Sequence, residues 1–455
     1  MTRNPRAVRH PGESRGPALK TLLDSGLRRN DETKNANKRG SHYSWLLLAL
    51  LPGIAGAQDS GAPLTWEDCV SIAAANNPDL AASRHAQEAG QASYNGSFNG
   101  LLPKLNLSNS FSESGSSRQK TWQAQASANI DILNASDIAG IKSSKASLLQ
   151  AQANLRQSAA TVRSSLRQAF LQLLYAQESV ELSRQIKELQ EKNAKLVSLR
   201  YTGGTESKGN MLQAQAEAAQ AQTDLLQDQL SLRTAQKTLD RQLGLDDFRP
   251  LSATGTLVSQ LPPESLKVDD SLLSLRPDIA VQEAAVKSVM ASVDQAKSSL
   301  WPNLSASYSR SRTDTSEFPS GQYGWTFGGA LSYPLFGGGP SAAYYAVSAA
   351  QRNLEKSREL LRSVRTQAVV ALENAWSSFV IAVSQVRIDA MLLEAARQRN
   401  AEADIRYSSG LMTYDNWQII SSARISQERR NLNARLNAVM AEAAWDQALG
   451  KGLGE

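Results

Sequence analysis

A single cysteine, Cys69, in 455 residues excludes a disulfide framework within one chain, and the residue reads as a small buried apolar group rather than a reactive thiol. Histidine is nearly as scarce. Of three, only His85 lies beyond the first 57 residues, so a histidine-based catalytic triad or zinc site has almost no material. Aromatic residues make up 6% of the chain, and the 41% apolar fraction leans on alanine among tracts of Gln, Ser and Asn. A length that would ordinarily mean about three globular domains therefore lacks the Leu, Ile, Val and Phe that compact cores require; long helices with narrow apolar seams fit instead. No segment approaches the ~20 continuous apolar residues of a transmembrane helix.

The isoelectric point near 9.3 suggests nucleic acid until the charge is located. Residues 1–57 carry ten basic and four acidic residues, leaving 39 of each in the remainder. Without a basic surface outside the leader, nucleic-acid binding loses its main support. Lys34, Lys38 and Arg39 precede the apolar run Trp45 to Leu51, the breaker Pro52-Gly53 and small residues ending at Ala57. That order predicts a secretory signal peptide cleaved after Ala57. Residues 1–33 read either as an extension upstream of the true start or as an unusual leader. Cys69 lies too far past the cleavage point to be a lipid-bearing first residue.

What the chain does contain, it contains twice. Asn-Asn-Pro-Asp-Leu at 76–80 returns as Leu-Arg-Pro-Asp-Ile at 275–279, and Leu-Pro-Lys-Leu at 102–105 returns as Trp-Pro-Asn-Leu at 301–304. Arg-Tyr-Thr-Gly-Gly at 200–204 matches Arg-Tyr-Ser-Ser-Gly at 406–410, and Leu243-Gly244 matches Leu449-Gly450. A period near two hundred residues is too long for a solenoid unit and implies duplication of a whole structural half. The halves are read as 58–260 and 261–455.

Each half opens with helices: Thr65 and Asp68 form a capping box for a short one, and Pro78 opens another. The period then changes to two. Leu105, Leu107, Asn109 and Phe111 alternate with Asn106, Ser108 and Ser110; Trp122 through Ile132 alternate with Gln123 through Asp131. The second half repeats this with Leu304, Ala306 and Tyr308, then Tyr323, Trp325, Phe327, Gly329, Leu331, Tyr333 and Leu335. Strands are expected at about 102–112, 120–133, 301–312 and 322–336, apolar on one face and small and polar on the other, as in a transmembrane β-barrel. Four strands cannot close a barrel, and an open edge in lipid leaves backbone groups unpaired at several kcal/mol each. The barrel must be shared between chains.

After the strands the period becomes helical. Leu155, Ala159, Val162, Leu166, Ala169, Leu173, Ala176 and Val180 step by four and three, a heptad seam. Gly203-Gly204 then reverses the chain, and Ala214, Ala221, Leu225, Leu232 and Leu239 carry a matching seam back to Gly244. The long hairpins are placed at 136–244 and 341–450, the second turning at Ser409-Gly410. Gly203 to Gly209 includes Lys208 but has neither a Gly-Lys-Ser/Thr sequence nor a preceding strand, so it is a turn and not a phosphate loop.

A leader, two tandem halves, two strands per half and long hairpins ending in Tyr-x-x-Gly at 201–204 and 407–410 resemble the TolC-type outer-membrane efflux proteins over about residues 64–450. The order and double occurrence of the motifs carry the match. The resemblance implies an α+β fold in which a homotrimer builds one twelve-stranded outer-membrane barrel, continued into the periplasm by a tube of helical hairpins. It implies a passive exit duct for small molecules in a tripartite efflux pump of a Gram-negative bacterium, with no catalytic site, metal or cofactor. The expected partners are a periplasmic adaptor and an inner-membrane transporter of the resistance-nodulation-division or ABC type. The family closes its duct at the periplasmic tips, which here span Tyr201 to Asn210 and Tyr407 to Asn416. Tyr201, Gly204, Tyr407 and Gly410 are thus the candidates for gating and adaptor docking, with Lys208, Asp415 and Asn416 as polar tip residues. Acidic residues that follow the second Tyr-x-x-Gly in several relatives are replaced here by Met412, Asn416 and Ile419, which speaks against a strongly cation-selective entrance. Two alternatives stand beside this reading: a duct for type I protein secretion, and a trimeric adhesin-like envelope stalk. A stalk places its strands at one end of the chain, whereas here they interrupt it twice.

Overall fold

The computed structural model describes residues 63–115, 119–265, 270–315, 321–336 and 338–453. The expected leader, 1–57, lies outside them. Element order is α1 (Trp66–Asn76), α2 (Pro78–Ser97), a 3-10 turn (Phe98–Leu101), β1 (Lys104–Ser114), β2 (Gln119–Leu133), α3 (Ala135–Thr202) and α4 (Lys208–Leu243). The second half follows with α5 (Asp270–Leu275), α6 (Pro277–Ser298), β3 (Asn303–Asp314), β4 (Tyr323–Ser332), α7 (Pro340–Ser408) and α8 (Tyr414–Ala448). Thr65 and Asp68 make the capping box of α1. Cys69 is fully buried beneath it, its thiol pushed up to about 12 by burial and by the charge of Asp68.

The helices α3 and α7, 68 and 69 residues long, are each about 100 Å in length. Each is shadowed by two shorter helices running back along it. On α3 these are α4 and then α2, and on α7 they are α8 and then α6. The four repeated marks, Asn77-Pro78, Arg276-Pro277, Gly244 and Gly450, turn out to build one joint twice. The C-terminus of α4 meets the N-terminus of α2, where Asn77 Nδ2 donates to the Gln242 carbonyl at 2.8 Å. At the second joint Arg276 donates to the Ala448 carbonyl at 2.6 Å while forking onto the Asp278 carboxylate. The negative end of one helix dipole thus faces the positive end of the next, and carbonyls left over by one helix are satisfied by the cap of the other. Gly244 and Gly450 sit at φ 74° and 82°. A Cβ at Gly244 would run into the Asn76 carbonyl, and one at Gly450 would lie 2.9 Å from Pro277 Cδ.

The four strands form one antiparallel sheet in the order β1-β2-β3-β4, so the halves join through β2 and β3. Register gathers large apolar side chains on one face: Leu105, Leu107 and Phe111 beside Ala128, Ala126 and Trp122, then Tyr308 beside Phe327 and Leu304 beside Leu331. The opposite face carries Ser, Thr, Gln and Asn, with Lys104 paired to Asp131. None of the described residues covers the apolar face: Leu107 is 89% exposed, Trp325 71% and Leu331 71%. Among the described residues no helix is long and apolar enough to cross a membrane. Two local differences from the sequence reading have simple causes. Strand β4 stops at Ser332 rather than reaching 336, because Pro334 has no N–H to donate to a ladder. A bulge between Asp131 and Leu133 ends the alternation in β2.

Because both joints depend on a left-handed glycine in contact with the opposing backbone, Gly244→Ala and Gly450→Ala should each cost more than the ~1–2 kcal/mol of the left-handed conformation alone. Thermal melts of the purified protein followed by helical circular dichroism should show both variants falling, whereas Gly96→Ala, where a Cβ meets nothing within 4 Å, should not fall.

Candidate gating site at the helical hairpin tips

The two tips are built alike. In each, the chain leaves a long helix through a glycine at φ 75°, Gly204 or Gly410. The amide one residue further on donates back to the Arg of the Arg-Tyr pair, Thr205 to the Arg200 carbonyl at 2.9 Å and Leu411 to the Arg406 carbonyl at 2.8 Å. This is the Schellman closure that glycine permits. Ser207 then caps α4 by accepting from the Asn210 amide.

Their surroundings are not alike. Tyr407 is 1% exposed, whereas its repeat partner Tyr201 stands at 36% on the outside. The Tyr407 ring stacks on Trp417, centroids 4.4 Å apart and planes within 9°, and meets Tyr414 edge-on. The guanidinium of Arg200, from the other hairpin, lies 4.6 Å over the same ring and donates to the Tyr407 carbonyl. The Tyr407 hydroxyl donates to Glu206 Oε2 at 2.8 Å, also across hairpins. Trp417 is held in turn by Asp404, which accepts from its Nε1 at 2.7 Å and from Asn400 at 2.8 Å. Val197 and Ala214 of the first hairpin complete the apolar lining. One chain's two tips are therefore joined by a buried aromatic stack and a charged hydrogen bond.

Burial, then the hydrogen bond and charge of Glu206, push the Tyr407 phenol well above its ordinary value, so it remains a proton donor. Tyr414 is pushed up to about 12 by burial and by Glu217, Glu206 and Asp415. For Glu206, burial opposes the charge. Hydrogen bonds from Asn210, Tyr407 and the Ser207 amide, with the charge of Arg200, outweigh it and hold the carboxylate below its ordinary value. Above the tip the hairpins stay zipped by polar pairs: Gln418 to Glu217, Arg429 to Asp224 and, bidentately, Arg435 to Glu178.

Of the residues proposed from sequence, Tyr407 lies in this junction, and Gly204 and Gly410 shape the turns. Tyr201, Lys208, Asp415 and Asn416 are exposed, and the last three have no ion pair or side-chain hydrogen bond among the described residues. Sequence reasoning missed Arg200, Glu206, Asp404 and Trp417. Arg200 was visible as the first letter of the duplicated Arg-Tyr motif. Glu206 had no signal, because its counterpart 206 positions on is Met412.

A four-stranded sheet with an uncovered apolar face, interrupting two ~100 Å helical hairpins, defines a subunit of an outer-membrane channel with a periplasmic helical extension. The outer membrane efflux protein model matches residues 69–245 and 269–451, and the chain belongs to that family. It is 25% identical over 405 residues to the cobalt-zinc-cadmium resistance protein CzcC of Cupriavidus metallidurans, covering 87% of this chain and 92% of CzcC. To the pyoverdine export outer membrane protein OpmQ of Pseudomonas aeruginosa it is 25% identical over 304 residues, 64% of this chain and 62% of OpmQ. The solved Campylobacter jejuni CmeC outer membrane channel superposes with a TM-score of 0.73 at 17% identity, covering 93% of this chain and 95% of CmeC. The protein is an outer-membrane efflux channel of the tripartite type, a trimer that works with a periplasmic adaptor and an inner-membrane transporter.

Proposed function

We propose that the chain forms a passive exit duct, with no catalytic step of its own, whose periplasmic mouth is held shut by the Glu206–Tyr407–Arg200 junction within each chain. The observation that carries this reading is the burial of Tyr407 between the tips of the two hairpins, where it takes partners from both. The repeat supports a second, weaker joint. Arg406 and Tyr201 present the same residue pair on the outward flank, where a neighbouring copy stands, but Met412 replaces the carboxylate there. The contact between copies is thus the weaker of the two and parts first when an adaptor engages the exposed Tyr201, Lys208, Asp415 and Asn416.

Small molecules are the cargo class we favour. The names of the two relatives, one a metal-ion resistance protein and the other a pyoverdine exporter, concern small solutes rather than polypeptides, and they differ enough from each other that the duct itself need not select. Protein secretion remains the alternative. With Asp415 the only acid just after the second turn, Asp404 engaged by Trp417 and Asn400, and Glu206 engaged by Tyr407 and Arg200, the mouth has little free negative charge and should discriminate weakly between cations and anions.

Planar-bilayer recording tests the junction. Removing a hydrogen bond to a charged group by Tyr407→Phe or Glu206→Gln should cost about 1.5–3 kcal/mol, which is tenfold or more in the ratio of open to closed mouths, and resting conductance should rise accordingly. A carboxyl whose native pKa is depressed stabilises the native state above its ordinary value and loses that contribution as pH falls through the native one. Wild-type conductance should therefore rise on acidification below about 4.5, and Glu206→Gln should abolish that rise. Unchanged conductance in both variants would remove the junction from the gate. In the same recordings, strong cation selectivity abolished by Asp415→Ala would overturn the weakly selective entrance.

A further inference from the structure

The apolar face of the sheet carries an unexpected pair of positive charges. Arg310 and Arg312 lie two residues apart on β3, in register with Ala126 and Ala124 on one side and Trp325 and Tyr323 on the other. All of these belong to the face bearing Leu107, Phe327 and Leu331, the one that meets lipid, and not to the polar face that lines the channel. Every helical connection leaves the sheet at its Lys104, Leu133, Asn303 and Ser332 end. The opposite end, where Asp314 sits, is consequently the extracellular one. Arg310 lies four residues below Asp314, about 13 Å along the strand, within an apolar band ~25 Å tall. That places Arg310 in the extracellular half of the band, with Arg312 two residues nearer the surface.

A guanidinium facing hydrocarbon is unfavourable, most at mid-membrane and less toward the interface, and two close together also repel each other. The protein answers this only in part. Both guanidiniums pack on the ring of Tyr323, at 4.2 and 4.0 Å from its centroid, and Arg312 Nε donates to the Gly321 carbonyl at 2.6 Å. Arg310 has no hydrogen bond or ion pair among the described residues. Together with Leu107, Asn109, Ala124, Ala126 and Tyr323 the two arginines line an open groove on this face. Small residues make room for a hydrocarbon chain, and the two forked cations flank it, each level with one of the alanines.

We propose that this is a lipid-binding site in which Arg310 and Arg312 receive phosphate groups of a phosphorylated glycolipid of the outer leaflet, with an acyl chain in the alanine-lined groove. Arginine suits the role because its planar fork bonds two phosphate oxygens at once. Two such forks at one depth match a multiply charged phosphate head better than a single diester. The placement on the extracellular half selects the outer leaflet over the inner one. The ring of Tyr323 fixes both side chains in position before the lipid arrives, which reduces the ordering cost of binding.

Native mass spectrometry of the detergent-purified trimer tests this, with bisphosphorylated lipid A, the same lipid A stripped of phosphate, and phosphatidylglycerol as probes. The expected result is retention of bisphosphorylated lipid A at least tenfold tighter than either other lipid, with Arg310→Gln/Arg312→Gln trimers losing that preference and Arg310→Lys/Arg312→Lys trimers keeping part of it. Equal retention of the dephosphorylated form by wild-type protein would overturn the site, a readout that does not depend on the variants assembling. Equal retention of phosphatidylglycerol would overturn the glycolipid assignment, and an undiminished preference in the glutamine variant would place the phosphates elsewhere.

Discussion

Backbone hydrogen bonding in hydrocarbon is the constraint on which the rest of this molecule depends. The chain supplies four strands, and β1 and β4 each have one flank with no partner in the sheet. In lipid such a flank has no water to turn to, so the only stable arrangement is a ring in which β4 of one copy meets β1 of the next. Threefold assembly then follows from the strand count of the family's barrels. The duplication within the chain matters for the same reason: a half with two strands and one hairpin is a sixth of the ring, and joining halves in pairs leaves three seams between chains instead of six.

The helical tube obeys a related economy. Its seams are rich in alanine, which lets long helices approach closely while burying little area each. Packing alone does not say which hairpin sits against which. Polar pairs such as Arg435 with Glu178 and Arg429 with Asp224 fix the stagger between hairpins, and the aromatic stack around Tyr407 fixes it at the tip. Duplication also explains the asymmetry there. The two copies of the Arg-Tyr turn are no longer equivalent: the position after the first turn holds Glu206, which accepts from the Tyr407 hydroxyl within the chain, whereas its counterpart after the second turn is Met412.

Much of this was legible in the sequence, and the exceptions follow a physical pattern. Features set by local periodicity could be read: the alternation from Leu105 to Phe111, the seam from Leu155 to Val180, the glycine reversals, the Thr65 capping box. The duplicated marks at Pro78, Pro277, Gly244 and Gly450 could be recognised as a repeat but not as a joint, because the contact between positions some 165 residues apart has no local signature. The tip was half visible. Glycines and tyrosines announced the turns, whereas Glu206, Asp404 and Trp417 matter only through partners on another helix. The bulge at Asp131 likewise needed the register of the neighbouring strand before it could be placed.

The mass of the detergent-extracted particle, measured by native mass spectrometry, bears most directly on the claim that these strands are shared between copies. A particle of three chains that dissociates only with loss of sheet structure is the predicted result. A stable single chain that keeps its four strands ordered would contradict the account.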